Sequence, residues 1–144
     1  MNIFEALRAD HDNQRMLASQ LTDTSGDTAK RKAVFEELKR ELAVHADAEE
    51  RFFYKPLISH DMTQDMSRHG IAEHHEMDEL VESLETMDMS SSGWLTTAKE
   101  LAHKIEHHLE DEEQEFFQLA GKIFSDAQKS ELSDQYLKFV KENR

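Results

Sequence analysis

Residues 35–52 read Phe-Glu-Glu-Leu-Lys-Arg-Glu-Leu-Ala-Val-His-Ala-Asp-Ala-Glu-Glu-Arg-Phe. Within them Phe35, Leu38, Leu42, His45, Glu49 and Phe52 recur at intervals of 3, 4, 3, 4 and 3. That spacing lines one face of an α-helix, the seam a helical bundle buries. The middle of the seam is not apolar. His45 and Glu49 stand at i and i+4, on the same face and about one turn apart.

The pattern returns downstream as Leu101, Ile105, His108, Glu112, Phe116 and Leu119, again broken by a histidine and then a glutamate. His45 and His108 are 63 residues apart, as are Glu49 and Glu112, and Phe53 and Phe116. The same offset carries His11 onto His74, Leu17 onto Leu80 and Leu21 onto Leu84, and Asp10-His11 is echoed by Glu73-His74. The chain reads as two copies of a helix pair. One pair cannot bury its own seam, so two copies closing on each other predict an all-α, up-down-up-down four-helix bundle.

The segment signals agree. Helices are expected over about 2–21, 28–54, 63–87 and 94–119, separated by the Thr22–Asp27 and Ser90–Gly93 stretches and by the end before Pro56. Gly121 followed by Ser125-Asp126-Ala127-Gln128 reads as a stop and a capping box. A short fifth helix over about 126–142 then carries Leu132, Tyr136, Phe139 and Val140 as its apolar stripe. The expectation is one domain over 1–144, with the bundle at about 2–119. The seven methionines read as core filler and Trp94 as packing near a bundle end.

Composition narrows the function. The chain has 144 residues, 31 acidic and 17 basic, for a net charge of −14. Such a surface repels phosphate backbones and anionic membranes, so neither nucleic acid nor membrane is an expected partner. No apolar run approaches the roughly 20 residues that span a bilayer. The first residues lack a secretory layout, which leaves the cytoplasm as the expected location. There is no cysteine, which removes disulfides, thiolate chemistry and iron–sulfur ligation.

What stands out is nine histidines beside many carboxylates. The bundle converges His11, His45, His74 and His108 with Glu49 and Glu112 on one interior level. Buried carboxylates need a partner, and no Lys or Arg occupies the seam. A lone seam histidine is ordinarily a hydrogen-bonded core residue, and one His-x-x-x-Glu is a weak signal. Two of them at a shared offset, each with a further histidine at that offset, favour metal over a structural polar core. Two ions fit best, and imidazole with carboxylate suits iron, zinc or manganese. Other di-metal and zinc patterns fit poorly. A ferritin-like site needs Glu-x-x-His on two helices, and Glu100 to His103 is a single match. His75-Glu76-Met77-Asp78-Glu79 ends in Glu where a zinc protease needs His.

Asp10-His11, His45-Ala46-Asp47-Ala48-Glu49-Glu50, Glu73-His74 and His108-Leu109-Glu110-Asp111-Glu112-Glu113 together resemble the hemerythrin-like, or HHE cation-binding, domains. The run Phe52-Phe53-Tyr54-Lys55-Pro56-Leu57 is similar to that family's aromatic-proline end to the second helix, with an extra residue. The resemblance covers about residues 3–120. It implies a non-haem pair of iron ions, oxo- or hydroxo- and carboxylate-bridged. His11 and His45 would serve one iron and His74 and His108 the other, with Glu49 and Glu112 bridging. Oxygen-carrying hemerythrins have a further histidine one turn before the third-helix ligand, where this chain has Gly70. His69, Asp78 or water stand as substitutes. The remaining histidines, His60, His75, His103 and His107, read as surface or supporting residues, and Glu110–Glu115, Glu112 apart, as a solvated face. Tyr54 points away from the seam by helical count.

The expected function is small-ligand binding (O2, NO or peroxide) at the iron pair, with Phe52, Phe53 and Met77 keeping the site apolar. The alternatives are an iron- or oxygen-responsive sensing module, with the fifth helix as its partner surface, and a di-iron peroxidase or NO-reducing enzyme. A redox partner is undefined, and the chain is expected as a monomer or weak homo-oligomer.

Overall fold

A computed structural model describes residues 1–144 and contains helices only. Helix α1 spans Ile3–Thr22 and opens with a capping box between Asn2 and Glu5. Helix α2 spans Ala29–Glu49, capped by the Thr28 side chain. It runs on through a π turn, Glu50–Tyr54, into a last helical turn, Lys55–Leu57. Helix α3 spans Gln64–Thr86. Helix α4 spans Ser92–Asp111, capped by Ser91, and continues through a second π turn, Glu112–Phe116, into Phe117–Ile123. Helix α5 spans Asp126–Asn143 behind the Ser125/Gln128 capping box. Gly121 does not stop the fourth helix, which ends two residues later.

The first four helices form the bundle. α1 packs on α2 and α4, α3 packs on α4, and α5 lies across α1 and α2. The apolar interior is split in two. One cluster, around Leu17, Phe35, Leu38, Leu84, Trp94 and Leu101, fills one end. The other, around Ile3, Leu7, Phe53, Leu57, Phe117 and Tyr136, fills the end on which α5 sits. Between them lies a polar layer made of His11, His45, Glu49, His74, His108 and Glu112, each no more than 5 % exposed.

The π turns correct the sequence reading of the seam. Each is closed by an i to i+5 bond, Lys55 N–H to Glu50 O and Phe117 N–H to Glu112 O. The wide turn adds a residue and rotates everything after it. Phe53 and Tyr54 therefore turn inward where Phe52 was expected, and Phe52 packs on Phe139 of α5 instead. In the second copy Phe117 and Ala120 are buried and Leu119 is not fully so. Trp94 is fully buried at the far end, edge-on to Phe35, with its indole N–H donating to Leu84 O at 3.0 Å. The buried Arg31 stacks over it at 4.6 Å and donates to the Thr24 and Met89 carbonyls, which ties two loops together. The methionines are not uniformly core filler: Met77 is buried, but Met1, Met16 and Met62 are exposed. No helix is long and apolar enough to cross a membrane.

Candidate metal centre

All six residues singled out by the repeat converge. Glu49 is fully buried and shares itself between two histidine pairs. Its Oε2 lies 3.4 Å from His45 Nε2 and 3.7 Å from His11 Nε2. Its Oε1 lies 3.1 Å from His74 Nε2 and 4.0 Å from His108 Nε2. Glu112 places Oε1 3.1 Å from His11 Nε2 and Oε2 3.5 Å from His108 Nε2. Two groups of ligand atoms are close enough to hold an ion each: His11, His45, Glu49 and Glu112, and Glu49, His74 and His108.

Every imidazole is held from behind by its Nδ1. His11 Nδ1 donates to Glu113 at 2.8 Å, His74 Nδ1 to Glu50 at 2.8 Å, and His108 Nδ1 to Glu73 at 2.9 Å. A carboxylate only accepts, so Nδ1 carries the proton and Nε2 presents a lone pair. His45 differs. Its Nδ1 donates to Tyr136 Oη at 2.6 Å, and Tyr136 donates onward to Asp10. The 63-residue offset explains the substitution. Asp10 stands where the second copy has Glu73, one methylene shorter, and its Oδ2 stops 3.7 Å from His45 Nδ1. Tyr136 from α5 fills the gap. Tyr136→Phe is expected to weaken metal affinity by roughly 10- to 100-fold, the usual effect of removing such a supporting bond. Competition with a chelator of known affinity measures it.

Four Nε2 atoms, both Glu49 oxygens and Glu112 Oε1 are buried without any hydrogen-bond partner. Buried polar atoms are nearly always paired, and each one left bare costs about 1–3 kcal/mol. Seven bare lone-pair atoms gathered in two adjoining groups could hold metal, and their nitrogen–carboxylate chemistry suits iron, manganese or zinc. Without an ion, protons are the available substitute. Burial alone would push His108 down, but the facing Glu49 carboxylate, its bond to Glu73 and the Glu112 charge outweigh that and hold it at about 10. His11, His45 and His74 are likewise raised against the effect of burial by the facing carboxylates. Burial and the facing Glu49 charge push Glu112 up, while the surrounding imidazoles overcome burial and hold Glu49 well down.

Tyr54 belongs to this layer, contrary to the helical count. The π turn swings it inward, where it is fully buried and its hydroxyl donates to Glu112 Oε2. Its ring stacks on His74 at 5.4 Å and on Phe116 at 5.5 Å. In the other copy Phe117 stacks on His11 at 5.8 Å, without a hydroxyl. Tyr54 also occupies the space opened by Gly70: a Cβ there would meet Tyr54 Oη at 2.5 Å. Neither His69, 66 % exposed at its side chain, nor the exposed Asp78 fills that place. Alanine in a helix interior is ordinarily favourable by about 1 kcal/mol over glycine. At Gly70 the sign reverses, because the struck ring is clamped between His74 and Phe116. Gly70→Ala is expected to destabilise by about 1–3 kcal/mol, as overpacking does, measured by denaturant unfolding.

Sequence reasoning missed the Nδ1 partners. The Glu110–Glu115 run reads as a solvated face by sequence, yet Glu113 holds His11 and accepts from Arg15 at 2.8 Å. The signal was present, since Glu49-Glu50 and Glu112-Glu113 repeat as doublets. His60, His75, His103 and His107 are all exposed.

The chain belongs to the hemerythrin HHE cation binding domain family, whose model matches residues 2–120. The fold is also that of a solved hemerythrin HHE cation binding domain-containing protein, the Rv2633c homolog from Mycobacterium kansasii. The TM-score is 0.87 at 21 % identity, over 99 % of this chain and 87 % of that one. A curated relative, a DNA nickase of Nostoc sp. (strain PCC 7120 / SAG 25.82 / UTEX 2576), is 27 % identical over 117 residues. The match takes in 81 % of this chain and only 33 % of that protein.

Proposed function

We propose that the chain is a non-haem di-iron protein that binds O2, or the related ligands NO and peroxide. The observation that carries this reading is the set of bare Nε2 and carboxylate atoms at the polar layer. His11 and His45 would hold one iron and His74 and His108 the other. Glu49 would bridge them, since each of its oxygens faces one histidine pair. Glu112 would join through Oε1, with its other oxygen held by Tyr54. A bound iron pair supplies two electrons together to a single small ligand.

The protein's own part is positioning, drying and proton placement. Glu50, Glu73, Glu113 and Tyr136 fix the imidazole tautomers from behind. Phe53, Phe116 and Met77 exclude water from the neighbouring interior. Tyr54 keeps a proton on Oη beside Glu112, because burial and the Glu112 charge raise its pKa well above the ordinary value. A pocket of about 260 Å³ between α3 and α4 reaches Gly70, His108 and Glu112. An open approach of that size favours a second reading, turnover of peroxide or NO, over sealed oxygen carriage. The net charge of −14 argues against bringing the Nostoc protein's named activity to this chain.

The test is optical. Ferrous-loaded protein is exposed separately to O2, NO and hydrogen peroxide. A spectral change reversed by removing O2 supports carriage. Irreversible oxidation with peroxide consumption supports turnover. No response to any of the three contradicts the proposal.

A further inference from the structure

The two halves of the centre are not equally covered. On the α1–α2 side, α5 seals the bundle. Ala6 and Ala48 are fully buried there with Tyr136 and Val140, and Asp10 is tied up by Tyr136 and Arg144. The 63-residue offset maps Ala6, Asp10 and Ala48 onto His69, Glu73 and Asp111. No helix covers that side. The pocket of about 260 Å³ opens there instead, and His69, Glu73 and Asp111 form its wall. Their ligand atoms lie within 4.8 Å of one another.

This cluster differs from an ordinary acidic patch in three ways. It includes an exposed imidazole, with His69 Nε2 3.4 Å from Glu73 Oε1. Glu73 is itself buried and holds His108 Nδ1 at 2.9 Å, so it touches the outer cluster and the inner layer at once. The pocket ends on His108 and Glu112, both 3 % exposed, whose Nε2 and Oε1 are among the bare buried atoms. Asp65 and Glu115 add negative charge at the rim, and no Lys or Arg lines the pocket. A cleft of one charge sign with low-dielectric walls concentrates counter-ions and raises their arrival rate. Asp111 also lies 3.2 Å from His107 Nε2, a partner on the exposed face of α4.

We infer that His69, Glu73 and Asp111 form a third, outer divalent-cation site at the mouth of this pocket, through which ferrous iron reaches the buried pair. Oxygen-rich, partly solvated and with one exposed ligand, the outer site binds weakly and exchanges fast. That is what a loading site needs. The inference rests on the di-iron reading of the buried layer, which has its own signature in the test.

The metal-free full-length chain is mixed anaerobically with ferrous iron, and bound iron is followed by quenching with a chelator at increasing times. Equilibrium dialysis then counts ions at low and high free iron. The wild type is expected to take up two ions tightly and a third weakly. The His69→Ala/Asp111→Asn double variant is expected to lose the weak ion and to load at least about tenfold more slowly, within the range that electrostatic focusing supplies. Its final two tight ions and its helicity by circular dichroism should be unchanged. A control, Glu131→Gln/Asp134→Asn, removes two charges from the exposed face of α5 and should load at the wild-type rate. Wild-type loading and a retained weak ion in the double variant would overturn the outer site alone. Equal slowing in the control would reduce the effect to general steering and overturn it as well. Absence of the two tight ions in the wild type would overturn the di-iron reading and the loading site with it.

Discussion

Glu49→Ala is expected to leave a helical chain that no longer retains iron. Glu49 is fully buried, neither of its oxygens has a hydrogen-bond partner, and those oxygens stand 3.1 Å from His74 and 3.4 Å from His45. Glu112 also faces both pairs, but its Oε2 is taken by the Tyr54 hydroxyl, so Glu49 alone offers both oxygens without a hydrogen bond. Its removal takes a ligand from both ions at once and leaves four imidazoles facing Glu112 alone. His45→Ala is expected to lose metal too, by stripping one pair of a nitrogen. Glu49→Gln separates ligation from packing, because it keeps the shape and removes the charge. Iron content near background in all three variants, beside wild-type iron in the exposed His60→Ala, is the expected pattern. Full iron in Glu49→Gln would show that the carboxylate is not a ligand.

Metal removal should also destabilise the chain, and increasingly so as pH rises. At free iron about 1,000 times the dissociation constant, binding only the folded state adds roughly 4 kcal/mol. For a chain of this size that is a rise in Tm on the order of 10 °C. The pH dependence follows from the metal-free state. His108 is held at about 10 in the folded chain, above its ordinary 6.5. Its stabilisation is therefore complete below about 6.5 and is lost as pH climbs toward 10. A metal-bound imidazole has no proton to lose at Nε2, so the holo form does not follow that decline. The difference in Tm between iron-loaded and metal-free protein is expected to widen steadily from pH 6.5 upward. A difference that stays flat or narrows would mean that protons and metal do not compete for the same nitrogens.

The bundle and its polar layer were legible because both rest on strict spacing. Leu38, Leu42, His45 and Glu49 lie on one helix face whatever surrounds them, and the 63-residue offset doubles the signal. The π turns left no such trace. One inserted residue per turn at Glu50 and Glu112 exchanges Phe52 for Phe53 and Leu119 for Ala120, and it brings Tyr54 onto Glu112. Whether a turn widens depends on packing around it rather than on local pattern. The apolar stripe of α5 includes Tyr136, and its ring is indeed buried. Its hydroxyl acquires a role only because α5 docks beside an aspartate too short to reach His45. The Gly70 departure was visible in the sequence, but its occupant was not, since Tyr54 and Gly70 meet only through the wide turn.

The central claim is that the polar layer holds two irons. Elemental analysis of the full chain, loaded with ferrous iron without oxygen and freed of weakly bound ions by desalting, tests it most directly. Two irons per chain is the result the proposal predicts from Glu49 standing between the two histidine pairs. Iron near zero, or zinc alone, would contradict it and return the layer to a network of protonated imidazoles and buried carboxylates.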